Sequence, residues 1–489
     1  MHMSRRNPHL RMILPLLLLY MPLAAQDEWP RFRGPNGTGI STTTGLPIEF
    51  GPAKNVIWKT PLPPGHSSPV LTGDRVFVTA HTPEKEEYRL LVIALERSSG
   101  RILWQREVPR QQRGRLQNIN GPASPSPVTD GENVYAFFQE FGLLSFSGGG
   151  KERWRLPMGP FNMYYGFGAS PVLIEEKVIL AVDQDKDSYL LAVDSRSGKQ
   201  LWKTERPEVV SGYSTPTVYA PSSGAKQVIV PESFRLTAYA LGDGKPVWWV
   251  DGLACEMKSV ASLDHEHLYI NGWGFPQNQQ GRQIPTAPHE EGLRRYDRNK
   301  DGLITRDEVS GDEAMDKMLK TDWAFEAFDL DRNGRLDARE WGVFRSMMAS
   351  ENGLLAIRLG GLGDMTSSAI RWKYRRPVPQ VSSTLLYEGS LFMVNDSGIL
   401  ISLDPATGRI LKQGRLKGAI DKYFASPIGA EGKVWLVSQD GTVSVVTARA
   451  DWEILSVNSL GDEVFATPAI AGGRIYLRTR NTLYCFGNR

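Results

Sequence analysis

Two short stretches hold the densest chemistry in the chain: YDRNKDGLITRDE (296–308) and FDLDRNGRLDAREW (328–341). In the first, Asp297, Asn299, Asp301, Thr305 and Glu308 occupy positions 1, 3, 5, 9 and 12 of a loop, with Gly302 at position 6. In the second, Asp329, Asp331, Asn333, Asp337 and Glu340 repeat the spacing around Gly334. Oxygens at these offsets suit a hard divalent cation, which collects about six to eight of them, and one glycine supplies the sharp turn that wraps the loop around it. Leu303 and Arg335, at position 7, contribute backbone carbonyls only. Two calcium ions are therefore expected. A surface turn rich in Asp and Asn but binding no metal would have to match every ligand position twice over.

This is EF-hand spacing. Ile304 and Leu336, at position 8, can pair the two loops back to back. EAMDKMLKTDWAFEAF (313–328) and AREWGVFRSMMAS (338–350) read as amphipathic helices with Phe325, Phe328, Phe344 and Met347 inward. The helix before the first loop is cut short by Pro288 and Gly292, so the first site is expected to be the weaker. Residues 288–350 carry 15 acidic and 11 basic side chains in a chain of net charge +3, which makes this segment its acidic part.

What positions these loops is a repeat that runs the length of the chain. A Ser/Thr-Pro step opens each unit (HSSPVL, SPSPVT, GASPVL, YSTPTV, YFASPI, FATPAI), and SVASL and QVSSTL stand in the same place without proline. Each unit then runs through alternating strands to Gly-x-x-x-Trp, as in GRILW (100–104), GKQLW (198–202) and GKPVW (244–248), with GRILK (408–412) a variant. The tryptophans at 58, 104, 154, 202 and 248 recur every 46 to 50 residues. A period in the forties with about four short strands per unit is the mark of propeller blades. The sequence predicts an all-β, eight-bladed β-propeller carrying a small α-helical insertion. Trp248 and Trp372 are 124 residues apart, so the insertion falls within blade five. The expected division is a signal peptide (1–25), an N-terminal arm (26–54), propeller (55–273), EF-hand pair (274–352) and propeller again (353–489). NVIWKT (55–60) should supply the last blade's missing strand, leaving no exposed edge there.

At AVDSRSGKQLW (192–202) the chain resembles the pyrroloquinoline quinone (PQQ)-type propellers. Ala192, Asp194, Ser197, Gly198 and Trp202 match that family's tryptophan-docking motif, and ALERSSGRILW and SLDPATGRILK are looser copies. WPRFRGPNGTGIS (29–41) resembles the start of many secreted bacterial proteins of this class. The resemblance implies that each Trp packs between blades on a neighbour's backbone, which speaks to fold and not to chemistry. The family includes alcohol and sugar dehydrogenases as well as the non-catalytic scaffold lipoprotein of the outer-membrane barrel assembly machine. The resemblance to the methanol-dehydrogenase type implies adjacent cysteines and a central Glu, Asn and Asp beside the quinone; no counterparts are found. Cys255 and Cys485 lie far apart and read as small buried side chains.

The basic start (Arg5, Arg6, Arg11), the apolar run MILPLLLLYMPLAA and small residues at Ala24 and Ala25 read as an export signal, with an incomplete twin-arginine pattern. The run is too short to span a bilayer, so the mature chain is expected in the periplasm or outside the cell. The mild charge gives no reason to expect nucleic acid as a partner. No G-x-S-x-G or C-x-x-C-H occurs. His265 and His267 form an H-x-H pair with no third ligand nearby. Residues just ahead of the blade-opening strands, His66, Asn120, Tyr164, Tyr165, Tyr213, Gln380, Asp421, Lys422 and Tyr423, would make a polar and aromatic rim if they met, suited to a peptide or glycan. Ordinary loop composition is the simpler explanation of them. The sequence favours an exported, monomeric, calcium-binding propeller acting as a non-catalytic binding or scaffold protein with a protein or glycan partner. A PQQ-dependent oxidoreductase and a glycan-binding module are the alternatives.

Overall fold

The computed structural model describes residues 28–84, 87–114, 116–117 and 119–488. The expected export signal at 1–25 lies outside them. Eight four-stranded antiparallel blades succeed one another, beginning with Val70–Leu71, Arg75–His81, Leu90–Glu96 and Ile102–Val108. In blade eight, Ala469–Ala471, Arg474–Arg478 and Thr482–Gly487 are completed by Val56–Pro61 from the start of the chain, with Trp58 opposite Cys485. The ring is closed by hydrogen bonds between its two ends.

The central strands are apolar on both faces because each face meets a different neighbour. In Leu90–Glu96, Leu91, Ile93 and Leu95 join Ile475 and Leu477 of blade eight, while Leu90, Val92 and Ala94 join Ala136 and Phe138 of blade two. The period of two thus sends alternate residues into alternate inter-blade cores. No blade can bury both faces alone, so the stability of the ring is collective.

The Ser/Thr-Pro step has a specific task. Proline lacks an N–H, leaving the preceding residue's amide as the group that needs a partner at the strand's start. That amide donates to the equivalent hydroxyl of the next blade: Ser68 to Ser126, Ser126 to Ser170 and Ser170 to Thr215, at 2.9–3.0 Å. The belt resumes from Val260 to Ser383, Ser426, Thr467 and back to Ser68. It breaks where Val260 offers no hydroxyl to Thr215; there the Ser214 hydroxyl donates to the Ser259 carbonyl at 3.0 Å.

The tryptophans dock as the resemblance implied. The indole N–H groups of Trp58, Trp104, Trp154, Trp202 and Trp372 donate to backbone carbonyls of the next blade, at Arg97, Gly148, Ser195, Leu241 and Pro405. Trp248 differs: its N–H goes to Gln227 Oε1 within its own blade, whose outer edge is extended by Gly363–Asp364 running parallel to Pro246–Asp251. Each docked ring lies on a glycine. Gly100 has φ +75°, and a Cβ there would sit 2.4 Å from the Trp58 ring. Gly100→Ala is therefore expected to cost about 1–3 kcal/mol in backbone strain and about 1–3 kcal/mol in overpacking. Urea denaturation reads the sum.

Blade five pairs His267–Gly272 with Gly353–Arg358, and the helical segment leaves and returns between them. Its helices are α1 (His289–Tyr296), α2 (Ala314–Leu319), α3 (Asp322–Phe328) and α4 (Ala338–Ala349). The stretch read as one helix over 313–328 is two, because Lys320 and Thr321 turn the chain between α2 and α3. Phe325, Phe328, Phe344 and Met347 are buried as expected, in one core with Tyr296, Trp341 and the propeller's Cys255. Both cysteines are buried free thiols. No described helix is long and apolar enough to cross a membrane.

The arm crosses the opposite face of the ring, where the inner strands end. Trp29 bridges Leu71 of blade one, and the Pro30 carbonyl accepts from Thr129 N–H of blade two. Arg31 and Arg33 then donate to Pro216 and Thr384 of blades four and six, and Ile40 bridges Gly429 of blade seven. The arm closes the channel at that end, with Phe32 in the wall of the channel's cavity.

Candidate functional site

The two acidic loops fold as copies of each other. Asp297 accepts from the N–H groups of Asp301 and Gly302, and Asp329 from those of Asn333 and Gly334. Glu308 Oε1 accepts from Arg298 and Asn299 and its Oε2 from Thr305; Glu340 repeats this with Leu330, Asp331 and Asp337. Both loops turn through positive φ at positions 4 and 6, Lys300 and Gly302 in one and Arg332 and Gly334 in the other. Ile304 lies opposite Leu336 and Thr305 opposite Arg335 in a two-stranded ribbon that holds the loops together.

The loops differ in charge and in the helix that each one enters. Carboxylate oxygens of Asp329, Asp331 and Glu340 lie within 4.8 Å of one another, and among the described residues this is the one such group of three. Position 3 of the first loop is Asn299, whose side-chain oxygen accepts from Asp301 N–H at 2.9 Å, so that loop has fewer acids to gather. Burial pushes Glu340 above the usual carboxylate range, whereas N–H donors, Thr305 foremost, hold Glu308 below it. The short helix ahead of the first loop is not what separates them: α1 has eight residues and α3 seven. The difference lies on the C-terminal side, where the first loop runs into a single turn at Arg306–Glu308 and the second into the twelve-residue α4. Leu303 and Arg335 stand at position 7 as read. The Arg335 guanidinium also reaches to 3.7 Å from Asp301 of the other loop. The oxygen-only donor set fits calcium.

The second loop is seated on the propeller. Leu330, flanked by two of the acids, is buried against Val210 and Phe234 together with Val343. Its carbonyl accepts from Asn162 Nδ2 at 2.7 Å, while its N–H donates to Glu340. Arg332 approaches Asp185, and Arg339 donates to the carbonyls of Asp185 and Pro207. A narrow cleft between insertion and blades is walled by Asp329, Leu330, Tyr165, Glu256 and Phe275, and the last three also wall the central cavity.

That cavity, about 370 Å³, occupies the channel on the insertion's side. Two tiers of side chains form it. The lower is the hydroxyl belt, and the upper holds the residues two positions earlier: His66, Ser124, Gly168 and Tyr213, then Lys258, Val381, Phe424 and Phe465. Residues two apart on a strand share a face. Of the nine rim residues read from the sequence, His66, Asn120, Tyr165, Tyr213, Gln380, Lys422 and Tyr423 line the cavity. Tyr164 lines the neighbouring cleft, and Asp421 turns aside to accept from Asp440 N–H. Lys258, Phe424 and Phe465 were missed, although repeat register places them: each stands two residues ahead of a belt position. Trp273 and Asp396 come from turns elsewhere in the chain and carry no such signal.

The electrostatics of the cavity are quiet. Burial, with the Arg478 cation second, pushes His66 down to about 3, so its ring is neutral; it stacks on Phe465 at 4.0 Å, with Ser124 Oγ 3.4 Å from Nδ1. Lys258 Nζ donates to the Glu256 and Trp273 carbonyls and lies 3.4 Å from Glu256 Oε2. Burial raises Asp396, and the Tyr423 N–H, then Lys422, offset part of that rise. Burial also pushes Tyr165 up to about 12 and Tyr213 well above its ordinary value, so both keep their protons. His265 lies on the turn between Ser262–Leu263 and His267–Gly272, and His267, which opens the second of these strands, faces Asp264.

The family comparison agrees with the repeat. A sequence profile described as outer membrane protein assembly factor BamB matches residues 48–164, 149–251 and 348–489, and an EF-hand profile matches 290–310 and 321–344. Among solved structures, BamB from Moraxella catarrhalis superposes with a TM-score of 0.53 at 12% identity over 88% of this chain and 98% of its own. A europium-containing methanol dehydrogenase gives 0.56 at 10% identity over 95% and 98%. At such identities the likeness shows the fold alone. No curated protein matches the sequence. With the repeat profile covering most of its length, the chain belongs to the PQQ-type propeller family described as outer membrane protein assembly factor BamB, with an EF-hand pair in its fifth blade.

Proposed function

We propose that this is an exported, calcium-binding propeller that works by binding, as a scaffold or recognition protein of the cell envelope, and not by catalysis. The mature chain would comprise the propeller and the calcium-binding insertion at 274–352, with both loops occupied through the twelve residues read from their spacing. The central cavity carries the reading. Its histidine is neutral and stacked, its tyrosines are held protonated, and Lys258 is paired with Glu256 of the same wall. General acid–base work needs a group poised near the operating pH; His66 is held far from it, and Asp396, though raised by burial, is occupied by the Tyr423 N–H. A quinone bearing three carboxylates needs several cations; the wall has two lysines, of which Lys258 is already held by Glu256, so PQQ fits it poorly. The related assembly factor BamB supports a protein partner in the envelope.

Capture from the native envelope fraction, with calcium and with chelator, tests the reading; one dominant protein retained in calcium and reduced in chelator is expected. Tight PQQ binding together with dye reduction on alcohols or aldoses would overturn it in favour of a dehydrogenase.

A further inference from the structure

Within that binding role, on which the inference rests, we propose that the central cavity is a pocket for the uncharged terminal sugar of a glycan. Three observations converge. First, the arm closes the far end, with Phe32 in the wall, so whatever enters does so from the insertion's side and must present an end. Second, about 370 Å³ is at the small end of the range for ligand pockets, room for a ring or two but not for a folded segment. Third, the walls offer aromatic rings (Tyr165, Tyr213, Trp273, Phe424) above a belt of hydroxyls, which matches a ring with C–H faces and a hydroxylated edge.

Charge decides between the two polymers whose ends could enter. A peptide terminus is an ammonium or a carboxylate, and burying either without a counter-charge is costly. Lys258 is held by Glu256, and the lining's remaining lysine and carboxyl, Lys422 and Asp396, are opposite in kind, so the wall offers no excess of either charge. A glycan's non-reducing end is neutral and escapes that penalty.

The test is an array of neutral oligosaccharides, their uronate and sulfated counterparts, and peptides with free termini, probed with the full mature chain in calcium. Hits are then titrated calorimetrically. Neutral glycans sharing one terminal sugar should bind. Trp273→Ala should weaken them about tenfold, with circular dichroism unchanged. Binding confined to acidic glycans or peptides, equal affinity in Trp273→Ala, or no binding on the array would each overturn the sugar site. A protein partner captured from the envelope despite a blank array would leave the broader binding role standing, so the two failures are distinguishable.

Discussion

Titrated with calcium, the wild-type chain is expected to take up two ions and the Glu308→Gln, Glu340→Gln double variant none. Each glutamate closes its loop at position 12 by accepting N–H groups from the loop's start and from position 9. Glutamine keeps one acceptor oxygen for those bonds but loses the charge and the second oxygen that a hard cation needs. Dissociation constants of order 10⁻⁴–10⁻³ M are the range of extracellular modules of this type. The second loop should bind first, since Asp329, Asp331, Asp337 and Glu340 give it one more carboxylate than Asp297, Asp301 and Glu308 give the first. Glu340→Gln alone should therefore remove the tighter phase of the isotherm. At a hundredfold excess of calcium over Kd, binding stabilises the native state by about 2.7 kcal/mol per site, and the thermal shift should vanish in the double variant. Unchanged binding in that variant would place the metal elsewhere.

Excising residues 276–350, with a short Gly/Ser bridge, is expected to leave a closed ring of reduced stability. Gly272 and Gly353 are paired neighbours, so the join is short and blade five keeps its strand pairing. The insertion is nevertheless more than an appendage. Removing it uncovers Val210, Phe234 and Cys255, breaks the Asn162–Leu330 hydrogen bond and opens the wall it shares with the cavity. At about 1.5–3 kcal/mol for each large apolar side chain exposed, the loss should be on the order of 3–6 kcal/mol. Far-ultraviolet circular dichroism should keep its β signature while the denaturant midpoint falls. Loss of that signature would make the insertion part of the ring's own core, and an unchanged midpoint would mean that its seat on blades three and four carries no energy.

The parts of this protein legible in sequence are those set by local chemistry at fixed spacing. The EF-hand offsets specify their loops because every ligand comes from within twelve residues, and Asp297 and Asp329 make the same backbone bonds in both. The blades were legible because Ser/Thr-Pro and Gly-x-x-x-Trp are contacts between identical neighbours, so packing reappears as a period. Closure by Val56–Pro61 was readable from a count of strands that came out one short. Even the cavity's upper tier can be read from register, two residues ahead of each belt hydroxyl. What the tertiary structure alone decided is where unlike parts meet. Nothing in the one-dimensional order says that Leu330 presses on Val210, that Phe32 walls the channel, or that Trp273 and Asp396 face one ligand space. Those contacts join segments that do not repeat, so they leave no period behind. They arise because a closed ring brings the turns of all eight blades to one axis, where the insertion lies beside one end and the arm shuts the other.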